Sequence, residues 1–293
     1  MEDYDKAEAF IRQAGLATET VLPAGRHNHA IRRSVMRGMQ PGRMTGDEIV
    51  NRWGKLLQER SDTLAEADKD GAQRYPSVAI MQSTLFEKIA RPVGDAFRSQ
   101  VRTTPALTTG IFRWSQRARW PVHPSQGVDR ILIPVFNAQH WVLVEADMRA
   151  SCMRYYDSLM SSDAPDIEDA AGRRRPHERY TGVIQQWLDA EAVQRGLTPV
   201  TWRQARHEYM PRQTAAGNDC AIFMCQAMRL RTLRPLPAMP EPSNSNPQFR
   251  YRADEAAALR IYMAHELITD RICLPLLGAN ETQQAEQIEQ ATA

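Results

Sequence analysis

Four polar side chains, His140, Asp157, Gln213 and Cys220, carry the groups that acyl transfer through sulfur requires. Cys220 lies in "RQTAAGNDCAIFMCQAM", where a polar turn meets an almost unbroken apolar run. Asn218 and Asp219 suit the position just before a helix, and Ala221 to Met224 suit its buried opening. A thiol there lies beside unpaired backbone N–H groups and the positive end of the helix dipole, and both favour the thiolate. Such a nucleophile needs a base. Of the seven histidines, His140 stands where a hairpin turn enters an apolar strand. His207 lies in the polar "ARHEY", His27, His29, His123 and His177 in loop-like stretches, and His265 in the last helical segment. Asp157, in "YYDSL", closes the next strand. Antiparallel neighbours bring the start of one strand beside the end of the next, so Asp157 can accept Nδ1–H from His140 and fix its tautomer. Gln213, seven residues ahead of Cys220, can supply an amide N–H to a developing oxyanion together with the Cys220 backbone N–H. Taken singly, each has a plainer reading: a buried cysteine, as Cys225 suggests deeper in the same run, a polar hairpin histidine, a turn aspartate and a loop glutamine.

These residues need a sheet edge and a helix mouth. "RILIPVF", "HWVLVEAD" and "MRYYDSL" read as three strands joined by short breaks, so neighbours should pair antiparallel. Pro134 cannot donate to a ladder and marks a bulge or an edge. Upstream, "TGDEIVNRWGKLLQER" sets Ile49, Val50, Trp53, Leu56 and Leu57 on one helical stripe, with Thr45 and Glu48 as a capping box. "SVAIMQSTLFEKIA" reads as a short strand followed by a helix. "YTGVIQQWLDAEAVQRG" turns Val183, Ile184, Trp187 and Leu188 inward and stops at Gly196. "VTWRQARHEYM" is a strand, the cysteine helix runs from about Asp219 to Leu233, and "ADEAAALRIYMAHELITDRI" is a final helix. Residues 1–42 have the composition of a solvated extension around one short helix in "DYDKAEAFIRQAGL". Residues 43–277 form the folded domain, and 278–293 a polar tail.

Composition narrows the classes. A chain of 293 residues with formal charge +2 lacks the basic excess of a nucleic-acid binder, so no nucleic acid is required. No apolar run reaches membrane-spanning length. The start, "MEDYDKAEAF", is acidic and shows no secretory leader. Cys152, Cys220, Cys225 and Cys273 form no C-x-x-C pair, so zinc is not expected; no other metal and no cofactor is expected either. Sparse cysteine suits a reducing compartment. The expected address is intracellular, cytoplasm or nucleus, reached by synthesis there or by delivery of a bacterial effector into a host cell.

In combination the segments resemble the SUMO-specific (Ulp-type) cysteine proteases, which share a fold class with adenovirus-type proteases. That family shows His-Trp, then Asp before Ser-Leu, then Gln shortly before Asp-Cys-Gly. Here "QHWVLVEAD", "RYYDSLM" and "PRQTAAGNDCAIFMC" stand in that order. "TGDEIVNRW", "VAIMQSTLFEKI" and "FRWSQRA" resemble its upstream segments, so the likeness covers roughly residues 43–275. The resemblance implies an α+β, papain-like or adenain-like fold: a central antiparallel sheet flanked by helices, the nucleophile on a helix N-terminus, and His140 with Asp157 across a cleft from it. It implies a monomeric isopeptidase acting after Gly-Gly of a ubiquitin-like modifier, above all SUMO. The family pattern makes His140 the base, Asp157 its orienter, Gln213 the oxyanion donor and Cys220 the nucleophile. It puts Trp141 in a narrow channel that only glycine passes, and it gives Asp47 and Trp114 substrate-binding roles. This sequence departs from the pattern at three places: Ala221 follows the cysteine in place of Gly, the Gln-to-Cys spacing is one residue longer, and Arg43 and Met44 occupy the region of a family Trp. Two other readings use the same residues. One is an acetyltransferase effector passing an acetyl group through the cysteine; the other is a non-catalytic modifier-binding module.

Overall fold

A computed structural model describes residues 2–23, 30–67, 75–90, 122–123, 126–137, 139–159, 176–208, 210–214, 217–233 and 253–272. Trp114, Cys273, the charged loop 160–175, the Pro/Ser/Asn loop after Leu233 and the tail 278–293 lie outside them. The chain divides into two compact units, Ser77–Tyr209 and Met1–Pro76 with Met210–Ala293.

In the first of these units a five-stranded sheet forms around two long strands rich in Ile and Val. In chain order the unit holds β3 (Val78–Ile80), α4 (Thr84–Ala90), a small β4–β5 pair (Val122–His123, Gln126–Gly127), β6 (Arg130–Asn137), β7 (His140–Asp147), β8 (Cys152–Tyr156), α5 (Pro176–Gln194) and β9 (Arg203–Glu208). The sheet order is β3-β6-β7-β8-β9. The three central strands pair antiparallel, as expected, through registers such as Asn137↔His140 and Val144↔Tyr155. The outer strands correct the all-antiparallel expectation: β3 joins β6 and β9 joins β8 in parallel. Their connections to those neighbours run through long segments, which is what parallel pairing needs. The β3 ladder ends opposite Leu132, so Pro134 lies past it, where its missing N–H breaks no described ladder bond on that side.

Alternation decides the packing. Ile131, Ile133, Val135, Val142, Val144, Ala146, Met153 and Tyr155 share a core with Leu85, Phe86 and Ile89 of α4 and Val183, Ile184, Trp187 and Leu188 of α5. The opposite parity, Leu132, Trp141, Leu143 and Tyr156, is also buried, so both faces of the sheet are covered. Gly196 ends α5 at φ +70°, and Leu197 N bonds Ala192 O at 2.9 Å. That left-handed C-cap is the geometry glycine makes accessible.

The other unit is mostly helical. It contains α1 (Glu2–Arg12), a β1–β2 hairpin (Thr20–Leu22, Ile31–Arg32), α2 (Arg33–Met36) with a 3₁₀ turn (Arg37–Met39), α3 (Asp47–Ala67), α6 (Cys220–Leu233) and α7 (Ala256–Thr269). The predicted stripe of α3, from Ile49 to Leu57, is buried. The helix opens at Asp47, and Val50 N bonds Gly46 O at 3.3 Å, so the flanking residue falls one later than Thr45. Helix α1 is not a solvated arm: it buries Ala7 and Ile11, and Tyr4 meets Tyr262 of α7 edge-on at 4.6 Å. Ile31, Met36 and Met39 are buried as well. Helices α3, α6 and α7 are joined at Glu266, which accepts from Trp53 Nε1 at 2.8 Å and pairs with Arg229. The Arg229 guanidinium also lies over the Trp53 ring. Removing either partner would strand a buried charge, a change that typically destabilises by about 3–5 kcal/mol.

Candidate active site

The strand register builds half of the predicted constellation. Leu143 pairs with Tyr156, so one further step sets Asp157 opposite Val142 and diagonal to His140. Side chains of equal parity share a face, which puts His140 and Asp157 on the same side of the sheet. The Gln139 backbone, at φ 61°, makes the tight turn that starts β7 at His140. The two side chains meet at 2.7 Å, His140 Nε2 to Asp157 Oδ1. The sequence-based expectation had Nδ1 in that contact. The diagonal offset instead makes the ring reach along its length to Nε2 and leaves Nδ1 facing away from the carboxylate.

Asp157 is anchored three ways. Besides His140, it accepts the Tyr155 hydroxyl at 3.0 Å on Oδ2 and the Leu159 N–H at 2.8 Å on Oδ1. Burial opposes its ionisation, but the hydrogen bond and charge of His140, with the Leu159 and Tyr155 donors, outweigh it and hold the carboxyl below its ordinary value. The same burial, reinforced by the Asp157 charge, pushes the Tyr155 hydroxyl far up, so it stays a donor. Tyr155 was not picked out from the sequence. Its signal was the first Tyr of "YYDSL", two residues from Asp157 and therefore on the same face.

The other half lies in the second unit. Cys220 is the first residue of α6 and is 3% exposed. Phe223 N bonds Asp219 O at 3.0 Å, closing the first turn, and the N–H groups of residues 220–222 fall ahead of it. Cys225, a turn and a half deeper, has its thiol pushed up chiefly by complete burial, the state of an inert core cysteine. Gln213 is half-buried, and its Oε1 has no hydrogen-bond partner among the described residues. Between them Gly217 N bonds Thr214 O at 2.8 Å. Arg260, also missed, reaches this turn from α7. Its signal was a lone arginine inside the apolar stretch "AAALRIYMA".

The substrate-binding expectations fare differently. Trp141 is 1% exposed and lies against Phe136, ring centres 4.9 Å apart. The exposed aromatic beside the His140 turn is Phe136, at 39%. Asp47 is exposed at the first residue of α3. Trp114 is outside the described residues.

Comparison with known proteins follows this geometry. A sentrin-specific protease of Caenorhabditis elegans is 24% identical over 183 residues, 61% of this chain and 20% of that protein. The ubiquitin-like-specific protease 1A of Arabidopsis thaliana is 25% identical over 219 residues, 74% of this chain and 38% of its own length. The chain therefore spans less than half of these relatives. Among solved structures, the C-terminal Ulp1 protease domain in complex with Smt3, the yeast ortholog of SUMO, superposes with a TM-score of 0.63 at 18% identity, covering 92% of this chain and 95% of that one. The Chaetomium thermophilum Ulp1-like SUMO protease catalytic domain gives 0.60 at 15% identity, covering 96% and 93%. At these identities the structures establish the fold, which is α+β of the Ulp1 type. The model of the Ulp1 protease family, C-terminal catalytic domain, matches residues 44–270, and the chain belongs to that family.

Proposed function

We propose that this chain is a thiol isopeptidase that cleaves after the C-terminal Gly-Gly of a ubiquitin-like modifier, with SUMO as the preferred one. The observation that carries the reading is the 2.7 Å contact between His140 Nε2 and Asp157 Oδ1. A carboxylate accepts Nε2–H and fixes the tautomer, so the Nδ1 lone pair becomes the base. In the proposed reaction His140 Nδ1 takes the Cys220 proton, and Sγ attacks the carbonyl carbon of the last glycine. The oxyanion is held by the Cys220 N–H and by Gln213, whose amide can turn its Nε2 toward it. Collapse breaks the C–N bond, and the His140 imidazolium protonates the departing amine. Water, deprotonated by His140, then breaks the thioester, releasing the modifier carboxylate and the thiol. Each donor to such an oxyanion contributes roughly 10²–10³ in rate.

Support comes from the family match across 44–270, which contains all four residues, and from relatives named for sentrin and ubiquitin-like modifiers. An acetyltransferase would consume acetyl-CoA, and a binding module would hold the modifier without turnover. The deciding experiment uses SUMO carrying a C-terminal electrophile. Wild type should form a covalent adduct, and Cys220→Ala should form none. Absence of labelling with SUMO and with every related modifier would overturn the reading.

A further inference from the structure

Arg260 stands in the middle of α7 with no exposed surface, yet all its nitrogens are engaged. Nε donates to Asp219 Oδ1 at 2.8 Å. One terminal nitrogen donates to Gly38 O at 2.8 Å and Thr45 Oγ1 at 3.2 Å. The other donates to Arg43 O at 2.8 Å and Asn218 O at 2.7 Å. Five acceptors meet the five N–H groups of one planar fork. Two of them, Asn218 O and Asp219 Oδ1, belong to the two residues that lead into Cys220. Asn218 itself reaches Gly42 O through Nδ2 at 2.9 Å, so the 218–219 turn and the 38–45 segment are tied together twice.

A buried cation has a strong reason to keep such partners, because an unpaired one is costly. Bonding to a carbonyl and a carboxylate in consecutive residues fixes both the peptide plane and the side chain there. That fixes the direction of the N–H groups at the mouth of α6. We infer that Arg260 is a positioning residue for the reaction: its guanidinium sets the turn that aims the Cys220 thiol and its neighbouring N–H groups. The inference rests on Cys220 being the nucleophile, as proposed above. It also gives the 38–45 segment a purpose, since that segment supplies three of the acceptors that hold the fork in place.

The test compares Arg260→Lys with wild type on a SUMO substrate, with active sites titrated by the electrophilic probe. Lysine keeps the charge but not the fork. Turnover per titrated site should fall about 10-fold or more, with KM within about threefold, because misaimed groups act on the transition state rather than on modifier binding. Hydrogen exchange in residues 213–223 should accelerate while residues 130–156 stay unchanged. Thr45→Val, which removes one acceptor and leaves Gly38 O on the same nitrogen, should lower the thermal midpoint but leave turnover within about twofold. If Arg260→Lys does not fold, Asp219→Asn carries the test. It keeps an oxygen for Nε and loses the charge, and should reduce turnover about threefold or more at unchanged KM. Unchanged turnover per titrated site, or unchanged exchange at 213–223, would make Arg260 a packing residue only. If wild type processes no modifier, the function proposed above fails, and the exchange measurement alone decides on Arg260.

Discussion

His140 and Asp157 owe their separation to a ladder, whereas Cys220 owes its position to a side-chain clamp. On the sheet, the pairing of Leu143 with Tyr156 is one of many equivalent backbone bonds, and the diagonal relation of His140 to Asp157 follows from register. At the helix mouth, a guanidinium from a remote helix holds Asn218 and Asp219. A ladder distributes its constraint over many residues, so a single substitution shifts it little. A clamp concentrates the constraint in one group. The prediction is that the strand side fails when its chemistry is removed, and the helix side fails when its geometry is disturbed.

The largest effect should come from chemistry on the strand side. Asp157→Asn keeps shape but no longer holds His140 in the productive tautomer. In a comparable triad such a change reduces turnover about 10⁴-fold, and a loss of roughly 10²–10⁴ is expected here with the fold unchanged by circular dichroism. The same variant tests a pH dependence. The Asp157 carboxyl lies below its ordinary 3.8, so the native state binds its proton less readily than the unfolded chain. Its contribution to stability is therefore present above 3.8 and is lost as pH falls through the lowered native value. Wild type should lose thermal midpoint more steeply than Asp157→Asn below that point. Parallel curves would mean that the His140 contact contributes nothing to folding.

Geometry on the helix side should give the next effect. A methyl added at Gly217 would stand 2.9 Å from Thr214 Oγ1, 3.1 Å from Thr214 O and 3.2 Å from Asp219 Oδ2. Thr214 Oγ1 can rotate away, but Thr214 O and Asp219, itself held by Arg260, must shift the turn. Gly217→Ala should lower turnover about 10-fold, since displacement of a reacting group by about 1 Å can cost 10²-fold. Its thermal midpoint should move little. A change confined to stability would show that the turn is free to relax, and would remove the contrast with the sheet.

Legibility in the sequence followed the same division. The strand His140–Asp147 was readable to the residue because alternation and a preceding turn define it. So was the edge of the sheet at which His140 and Asp157 meet. The parallel outer strands were not readable, because pairing between distant segments leaves no local pattern. Arg260 was invisible for a related reason: its five acceptors lie in segments 41 to 222 residues away. Residues 1–42 were misjudged by composition. Charged residues are spread through "DYDKAEAFIRQAGL", yet burial of Ala7 and Ile11 with the Tyr4–Tyr262 contact docks the short helix.

The smallest effect, and the finest test, lies at Ala221. Its methyl is fully buried, so the helix core accommodates what the family pattern replaces with glycine. Ala221→Gly removes that methyl and adds backbone freedom in the first turn, together about 1 kcal/mol of lost stability, or a midpoint lowered by about 2–4 °C. Turnover should stay within about threefold, because a methyl seated in the core does not crowd the N–H groups of residues 220–222. A tenfold gain in turnover would mean that the methyl obstructs the oxyanion. The helix side would then be limited at the residue after the nucleophile as well as by the clamp before it, and register on the strand side would have no counterpart to that second constraint.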